Sequence, residues 1–480
     1  MRLLRLLLVI TLLISYAPKT YAQLNLQLMA EEQYPVFLLG IGGISGLTPL
    51  VDKLDRPYVY VASNEGGLKI YETDPILNLV QVIDTNILID KVTTLEQVDT
   101  LLYVGTGNIF QDTLAHIGLS IVNIADPQNP IVMDNWWDPN SNDTISSGAG
   151  VIRIQGDYAF IGGMSEGMVI LNISDPNAIT FVSKFQPDIT YPLASNDPKK
   201  VNARGMAIDG DLVYLCYDQG GVRVIDCSTI SIPVEVAAFS NPITYAVGEW
   251  PRAYNNIVLD DTVAYVAADY CGLEVWSIAD PLNAQLLAHW NPHDCPVNGW
   301  WWEAPVHVNE MILQRECDML FMSTGKSEMI IMDVADPYMP FAIDSFGTVL
   351  DTTITWGIDI TDDRIYLTYA YVSQWLVWPL VPFYSNWNGI KQLSYTNCGL
   401  GIKEEEFDFT ISPNPAYTTL EIEGLTGSYI YDLVDITGKI VQQGSGVNDE
   451  QLDVSLLKSG AYFIRITKDE HRVQKKLLIE

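Results

Sequence analysis

Basic residues are scarce in this chain. Against 59 Asp and Glu there are 26 Lys and Arg, a formal charge of −33 over 480 residues. Nucleic-acid affinity comes largely from Lys and Arg that neutralise phosphates, so the charge disfavours that partner, and it disfavours docking on anionic lipid as well. Histidine is rarer still, with five copies. Six cysteines cannot make a disulfide scaffold of so long a chain, and they allow fifteen pairings in principle. None precedes Cys216, which excludes a lipid-modified N-terminal cysteine. There is no Gly-x-Ser-x-Gly elbow and no phosphate-binding loop. Sustained helical periodicity is missing too. With hydrophobic residues at 48 %, a large apolar core must do most of the stabilising.

One long apolar run is present, Leu6 to Tyr16, too short to span a bilayer comfortably. Arg2 and Arg5 precede it, and Thr20-Tyr21-Ala22 follows before Gln23, so residues 1–22 read as a cleaved signal peptide rather than a retained anchor. No integral membrane segment is expected after cleavage.

The remaining pattern is a repeat. Gly118 to Pro127 (GLSIVNIADP), Gly167 to Pro176 (GMVILNISDP), Gly272 to Pro281 (GLEVWSIADP) and Glu328 to Pro337 (EMIIMDVADP) share one template. Gly67 to Pro75 is one residue shorter, Gly221 to Ile230 lacks the Asp-Pro, and Gln374 to Leu380 reads as a degenerate seventh copy. Two apolar runs joined by a tight polar turn, such as Gly156-Asp157 or Gly210-Asp211, precede each copy, and a fourth run such as Thr180 to Phe185 follows. Four short strands per unit with Gly, Asp and Pro at the turns predict an all-β, seven-bladed β-propeller. A β-solenoid would need shorter coils. Tyr34 to Ile44 is a candidate for an added strand that helps close the ring.

The repeated segment resembles the LVIVD repeat of bacterial and archaeal surface propellers, over about Tyr34 to Tyr395. That resemblance implies a propeller outside the cytoplasm and no particular enzymatic activity. The propeller is expected over residues 23–396, followed by a linker, 397–408, containing Lys403 to Glu406.

Residues 409–480 form a second unit of short alternating strands, with Gly438, Gly444, Gly446 and Gly460 read as turn residues, and predict a small β-sandwich. It resembles the C-terminal sorting domain of the type IX (Por) secretion system of Bacteroidetes. The pieces that carry the likeness are Ser412-Pro413-Asn414-Pro415, then Asp435 to Lys439 with Gly438, then Leu452 to Tyr462 with Gly460, and Lys475-Lys476 near the end. An immunoglobulin-type binding module is the alternative. The resemblance implies the type IX machinery as partner, passage through the outer membrane, and a destination at the cell surface or in the medium.

Chemistry-bearing clusters are weak. His289, His293, Asp294, Cys295 and His307 match no strong metal spacing. Asp138 to Asp143 lacks the Gly and Glu of a calcium loop and reads as a solvated turn. No metal, cofactor or catalytic residue is expected. The long connections, 135–150, 186–204, 240–254, 291–306 and 347–353, each link one unit to the next. Together with 107–118 they belong on one face of an up-and-down propeller, and elaborated loops on one face of a repeat protein mark a binding face. They carry Trp136, Trp137, Tyr191, Tyr245, Trp250 and Trp300-Trp301-Trp302. These aromatics suit an extracellular ligand, a glycan, protein or matrix component, or else fold over one another as a plug. An extracellular hydrolase of polysaccharide or peptide and a structural surface-layer component are the alternatives. Cys271 and Cys295 are expected to pair.

Overall fold

The computed structural model describes residues 24–37, 42–108, 116–140, 147–192, 201–242, 253–292, 306–372, 385–396, 409–435, 440–468 and 471–479. The chain divides into two compact units, Met1–Thr396 and Asn397–Glu480. No described helix is long and apolar enough to cross a membrane.

Seven antiparallel sheets make up the described part of the first unit, apart from a two-residue hairpin, and they serve as blades 1 to 7 in chain order. Blade 3 shows the pattern: Val151–Gln155, Tyr158–Gly162, Met168–Asn172 and Thr180–Phe185, each paired to the next. Blades 1, 2, 4, 5 and 6 begin at Pro49, Val92, Gly205, Asn256 and Met311 and end at Ile83, Trp137, Phe239, Trp290 and Phe346. Blade 7 takes Thr355–Ile360, Arg364–Tyr369 and Gly389–Ser394 from the C-terminal side and Gln27–Gln33 from the start of the chain. The ring is thus closed by main-chain hydrogen bonds between its two ends.

The closing strand is Gln27–Gln33, not a strand within Tyr34 to Ile44. That segment instead buries Tyr34 between blades 7 and 1 and forms a two-residue hairpin, Val36–Phe37 with Gly42–Gly43. Gln27–Gln33 escapes notice because an outer strand with one partner is largely exposed, and QLMAEEQ carries no apolar run. The third strand of blade 7 is Gly389–Ser394; Gln374 to Leu380 lies outside the described residues. GIKQLS keeps only fragments of the repeat template, which hides it.

The near-continuous apolar strands follow from double burial. In blade 4, Val213 and Leu215 pack toward blade 3, while Tyr214 and Cys216 pack toward blade 5. In blade 6, Leu320 and Met322 face blade 5 and Met319 and Phe321 face blade 7. Side chains alternate across a strand, so a strand with neighbours on both faces needs apolar residues at every position. A separate apolar cluster fills each blade-to-blade junction, including the one between blades 7 and 1.

The repeat template also has local causes. Its glycine takes positive φ in five blades, at Gly67, Gly167, Gly221, Gly272 and Gly389. A Cβ at Gly272 would stand 2.2 Å from the carbonyl oxygen of Trp290, and one at Gly67 would stand 2.1 Å from that of Ile83. The Asp-Pro ends the strand through an Asx turn. Asp126 accepts from the Gln128 amide at 3.0 Å, Asp175 from Asn177 at 2.9 Å and Asp336 from Tyr338 at 2.9 Å. The Asn or Asp three residues earlier repeats the device, as with Asn123 and Ala125 at 2.8 Å.

The second unit is two sheets. One contains Thr410–Ser412, Thr419–Glu423 and Glu450–Asp453; the other contains Ser428–Asp435, Ile440–Val447, Gly460–Lys468 and His471–Ile479. Leu420, Ile422 and Leu452 from the first meet Leu433, Ile464, Ile466 and Leu477 from the second in one core. Gly444 and Gly446 are not turn residues. They sit within a strand opposite Tyr431 and Tyr429, whose rings cover them.

Gly272→Ala is expected to destabilise the propeller by roughly 2–3 kcal/mol, through a left-handed backbone together with the contact on Trp290. Gly156 shares the positive φ, but a Cβ there meets nothing within 4 Å. Gly156→Ala should therefore cost only about 1 kcal/mol. Denaturant midpoints of the two variants check the ordering; equal losses would show that the carbonyl contact is irrelevant.

Candidate functional site

In an antiparallel blade, the connection from the outer strand to the next inner strand and the connection between the second and third strands leave from one face. The connections after Trp137, Phe185, Phe239 and Trp290 are of the first kind, and the one after Asn108 is of the second. They share a face, while the Asx turns lie on the other.

Beneath this face the inner strands surround an axial cavity of about 440 Å³. Its lining comes in two layers. Thr48, Thr93, Arg204, Asn255, Asn309 and Trp356 lie where the chain enters the inner strands from the elaborated face. Lys53, Glu96, Arg153 and Asp359 lie further along those strands. Glu96 joins Lys53 of blade 1 to Arg153 of blade 3, the second contact at 3.3 Å. Glu310 bridges across blade 7: its carboxylate accepts from the Thr48 hydroxyl at 2.8 Å and from the Ile358 amide at 3.3 Å. Asp359 accepts from the Val51 amide of blade 1 at 2.8 Å and from its own neighbour Ile360 at 2.9 Å.

Glu310 and Asp359 keep some surface toward the cavity but lie deep in the ring. Burial pushes the Glu310 carboxyl up to about 7, only partly offset by its hydrogen bonds, and the Asp359 carboxyl up to about 6. Asp218, paired with Asn202 at 2.7 Å, is pushed up to about 7 for the same reason.

The tryptophans proposed from the sequence divide. Trp136 and Trp137 are not in a loop: they end the outer strand of blade 2, Ile131–Trp137, opposite Leu119 and Gly118. Trp136 packs at the junction with blade 3 and stacks on Phe181 with centroids 6.5 Å apart, because strand pairing extends farther than the polar sequence around it suggests. Trp137 is 47 % exposed. Trp250, Trp300, Trp301 and Trp302 lie outside the described residues, as do Tyr245, His293, Asp294 and Cys295. Tyr191 folds onto blade 4, its ring 4.8 Å from the Arg223 guanidinium.

Cys271 and Cys317 are both disulfide-bonded. Cys216 and Cys227 are free and buried. His289 bonds the Cys271 carbonyl at 2.8 Å, and His307 pairs with Asp269 at 2.6 Å and stacks on Tyr270. No metal-binding group of His, Cys, Asp or Glu occurs among the described residues. Asp138 closes an Asx turn on Asn140 at 2.8 Å and meets Lys184 at 3.4 Å.

The sequence reading missed the third position of the repeat template. It holds Lys69, Arg223, Glu274 and Lys391 in otherwise apolar strands, all buried. Each has a partner: Arg223 binds Glu235 at 3.0 Å and the Asp188 carbonyl at 2.6 Å, Glu274 takes the Tyr254 hydroxyl at 2.8 Å, and Lys391 reaches Glu328 at 2.9 Å. The signal was a charge at one fixed position of an apolar segment.

In the second unit, Pro413 and Pro415 flank Asn414, whose side-chain oxygen accepts from the Leu478 amide at 2.8 Å and ties the first turn to the last strand. Tyr462 buries its ring and donates to the Lys458 carbonyl at 2.9 Å. Lys475 lies 5.0 Å from the Phe409 ring. Asp435 ends its strand opposite Tyr462, Gly460 opens a strand, and Lys476 pairs with Phe463. Gly438 lies outside the described residues.

Raised carboxyl values carry a pH consequence. The folded ring holds protons on Glu310 and Asp359 that the unfolded chain releases near pH 4. Their contribution to stability is fully present below that pH and is lost as pH rises through 6 and 7. Glu310→Gln keeps the acceptor for Thr48 and removes this titration. Melting temperatures from pH 5 to 8 should fall less steeply for the variant than for the native chain, and parallel slopes would contradict the assignment.

The secretion system C-terminal sorting domain model matches residues 410–480, and the LVIVD repeat model matches 148–186 and 202–240, blades 3 and 4. A search of curated proteins found no match. Among solved structures, the WD40 repeats of RRP9 are similar at 9 % identity and TM-score 0.53, over 77 % of this chain and 99 % of that one. A chain of a mitotic checkpoint complex is similar at 10 % identity and TM-score 0.52, over 82 % and 99 %. Both show the fold alone. PorZ, a surface component of the type IX secretion system of Porphyromonas gingivalis, is similar at 11 % identity and TM-score 0.34, over 88 % and 74 %. Deleting Phe409 to Glu480 should trap the protein in the periplasm; normal surface or medium levels on fractionation would contradict this. The chain is a β-propeller protein with LVIVD repeats and a secretion system C-terminal sorting domain, exported through the type IX route to the cell surface or the extracellular space.

Proposed function

We propose that the exported propeller is a non-enzymatic binding module for a glycan, a protein or a matrix component. The observation that carries this is the concentration of long connections on one face, above an axial cavity lined by both polar and apolar groups. The chain carries an address that takes it outside the cell, where such a face meets ligands directly. A Cys271–Cys295 bridge would hold the connection that carries Trp300, Trp301 and Trp302, so that less freedom is lost on binding.

A second reading, an extracellular hydrolase, has one observation in its favour. Glu310 and Asp359 share the cavity, and burial raises both carboxyls. Against it, oxygens of both are held by hydrogen bonds that join blades.

A glycan and protein array with the mature chain should return a ligand that is bound and not consumed. Replacing Trp300, Trp301 and Trp302 with Ala should weaken that binding at least tenfold while the circular dichroism and melting temperature hold. Unchanged binding in the folded variant would move the site away from these residues. Turnover of the ligand, abolished by Glu310→Gln, would favour the hydrolase.

A further inference from the structure

Arg204 differs from the other charged groups around the cavity. It lies just before the inner strand of blade 4, in the upper layer of the lining, and is only half-buried. Its guanidinium lies 4.9 Å from the centre of the Trp356 ring of blade 7, which holds it across the axis. Among the described residues no hydrogen bond or ion pair engages its five N–H donors.

The nearby carboxylates take their hydrogen bonds from other donors. Glu96 is taken by Lys53 and Arg153, Glu310 by Thr48 and Ile358, and Asp359 by Val51 and Ile360. Asp218 is held by Asn202 through one oxygen, with the Arg204 charge acting on its carboxyl from nearby, and Asp269 is paired with His307. The cavity therefore presents a positioned donor fork with no hydrogen-bonded acceptor among the described residues, in a chain that has few cations to spare. A guanidinium fork matches a carboxylate through two parallel hydrogen bonds, and such charge-assisted pairs are stronger than neutral ones.

The rest of the upper layer narrows the ligand. Thr48, Thr93, Asn255 and Asn309 are neutral hydrogen-bonding groups, and the side-chain amides of Asn255 and Asn309 donate to the carbonyls of Val308 at 2.9 Å and Thr355 at 3.0 Å. Their side-chain oxygens are buried beside the cavity and have no partner among the described residues. Neutral acceptors and hydroxyls suit the hydroxyls of a sugar. A volume of about 440 Å³ lies within the range of small-ligand sites, roughly 300–1,000 Å³.

We propose that the axial cavity takes the carboxylate of an acidic saccharide, a hexuronate, with Arg204 as its anchor and Asn255 and Asn309 beside it. This rests on the reading of the propeller as a binding module and names its ligand class and the residue that selects it.

The test is calorimetric titration of the mature chain with three uronate disaccharides: digalacturonate, dimannuronate and the glucuronate-containing disaccharide of hyaluronan. The methyl ester of each serves as the neutral control, and tetraglutamate serves as a peptide control. At least one uronate should bind, its methyl ester should bind at least tenfold more weakly, and Arg204→Met should lose at least tenfold in affinity. Arg204→Lys retains the charge without the fork and should fall between; it also serves if the Met variant does not fold. Binding by none of the three, equal affinity for acid and ester, or native affinity in a folded Arg204 variant overturns the inference. Tetraglutamate binding in place of every uronate overturns the saccharide assignment. If the array yields a ligand whose binding ignores Arg204, the binding reading stands and this one falls. If the array yields none and no uronate binds, both fall.

Discussion

Every blade depends on being buried twice. A single four-stranded sheet with apolar residues on both faces has no stable existence in water, and each blade here resolves that by packing against two neighbours. The requirement passes around the ring, so the last blade must meet the first. The cluster of Val59, Val61, Tyr71, Tyr366 and Ile390 fills that final junction, and Gln27–Gln33 joins it by strand pairing. Closure then sets the geometry of everything on the axis, because the inner strands are brought together only when the circle is complete.

Polar groups refine this closure rather than drive it. Glu310, Asp359 and Thr48 join blades 6, 7 and 1, and the pairs around Glu96 join blades 1, 2 and 3. Charges inside the blades follow the same rule. Arg223, Glu274 and Lys391 are tolerated because connections and neighbouring strands bring partners to them. Part of the connection after Phe185 is thus structural. Tyr191 and the Asp188 carbonyl complete the surroundings of Arg223, so substitutions there would act on blade 4 before they act on any ligand.

The sorting domain answers to a different constraint. It is small, and its core is a single cluster between two sheets. Tyr429 and Tyr431 cover glycines on the neighbouring strand, an arrangement that adds apolar burial to a domain with little of it. Asn414 binds the start of the domain to its last strand, which gives the Ser-Pro-Asn-Pro segment a structural role of its own.

Local chemistry made the architecture legible. The repeat template encodes a positive-φ glycine, a doubly buried strand and an Asx turn, each enforced within about ten residues, so repetition alone led to a propeller. The sorting segment was legible for the same reason. What depends on partners distant in sequence was not. Gln27–Gln33 is recognisable as a strand only beside Gly389–Ser394, some 360 residues away. Trp136 looked like a loop residue until strand pairing and Phe181 placed it in a blade junction. Arg204, Asn255, Asn309, Glu310 and Trp356 lie in four different blades and carry no shared motif. The sequence determined the repeating unit, because strand and turn preferences act over neighbouring residues. Which side chains face the axis together was decided only when the closed ring brought seven inner strands around one cavity.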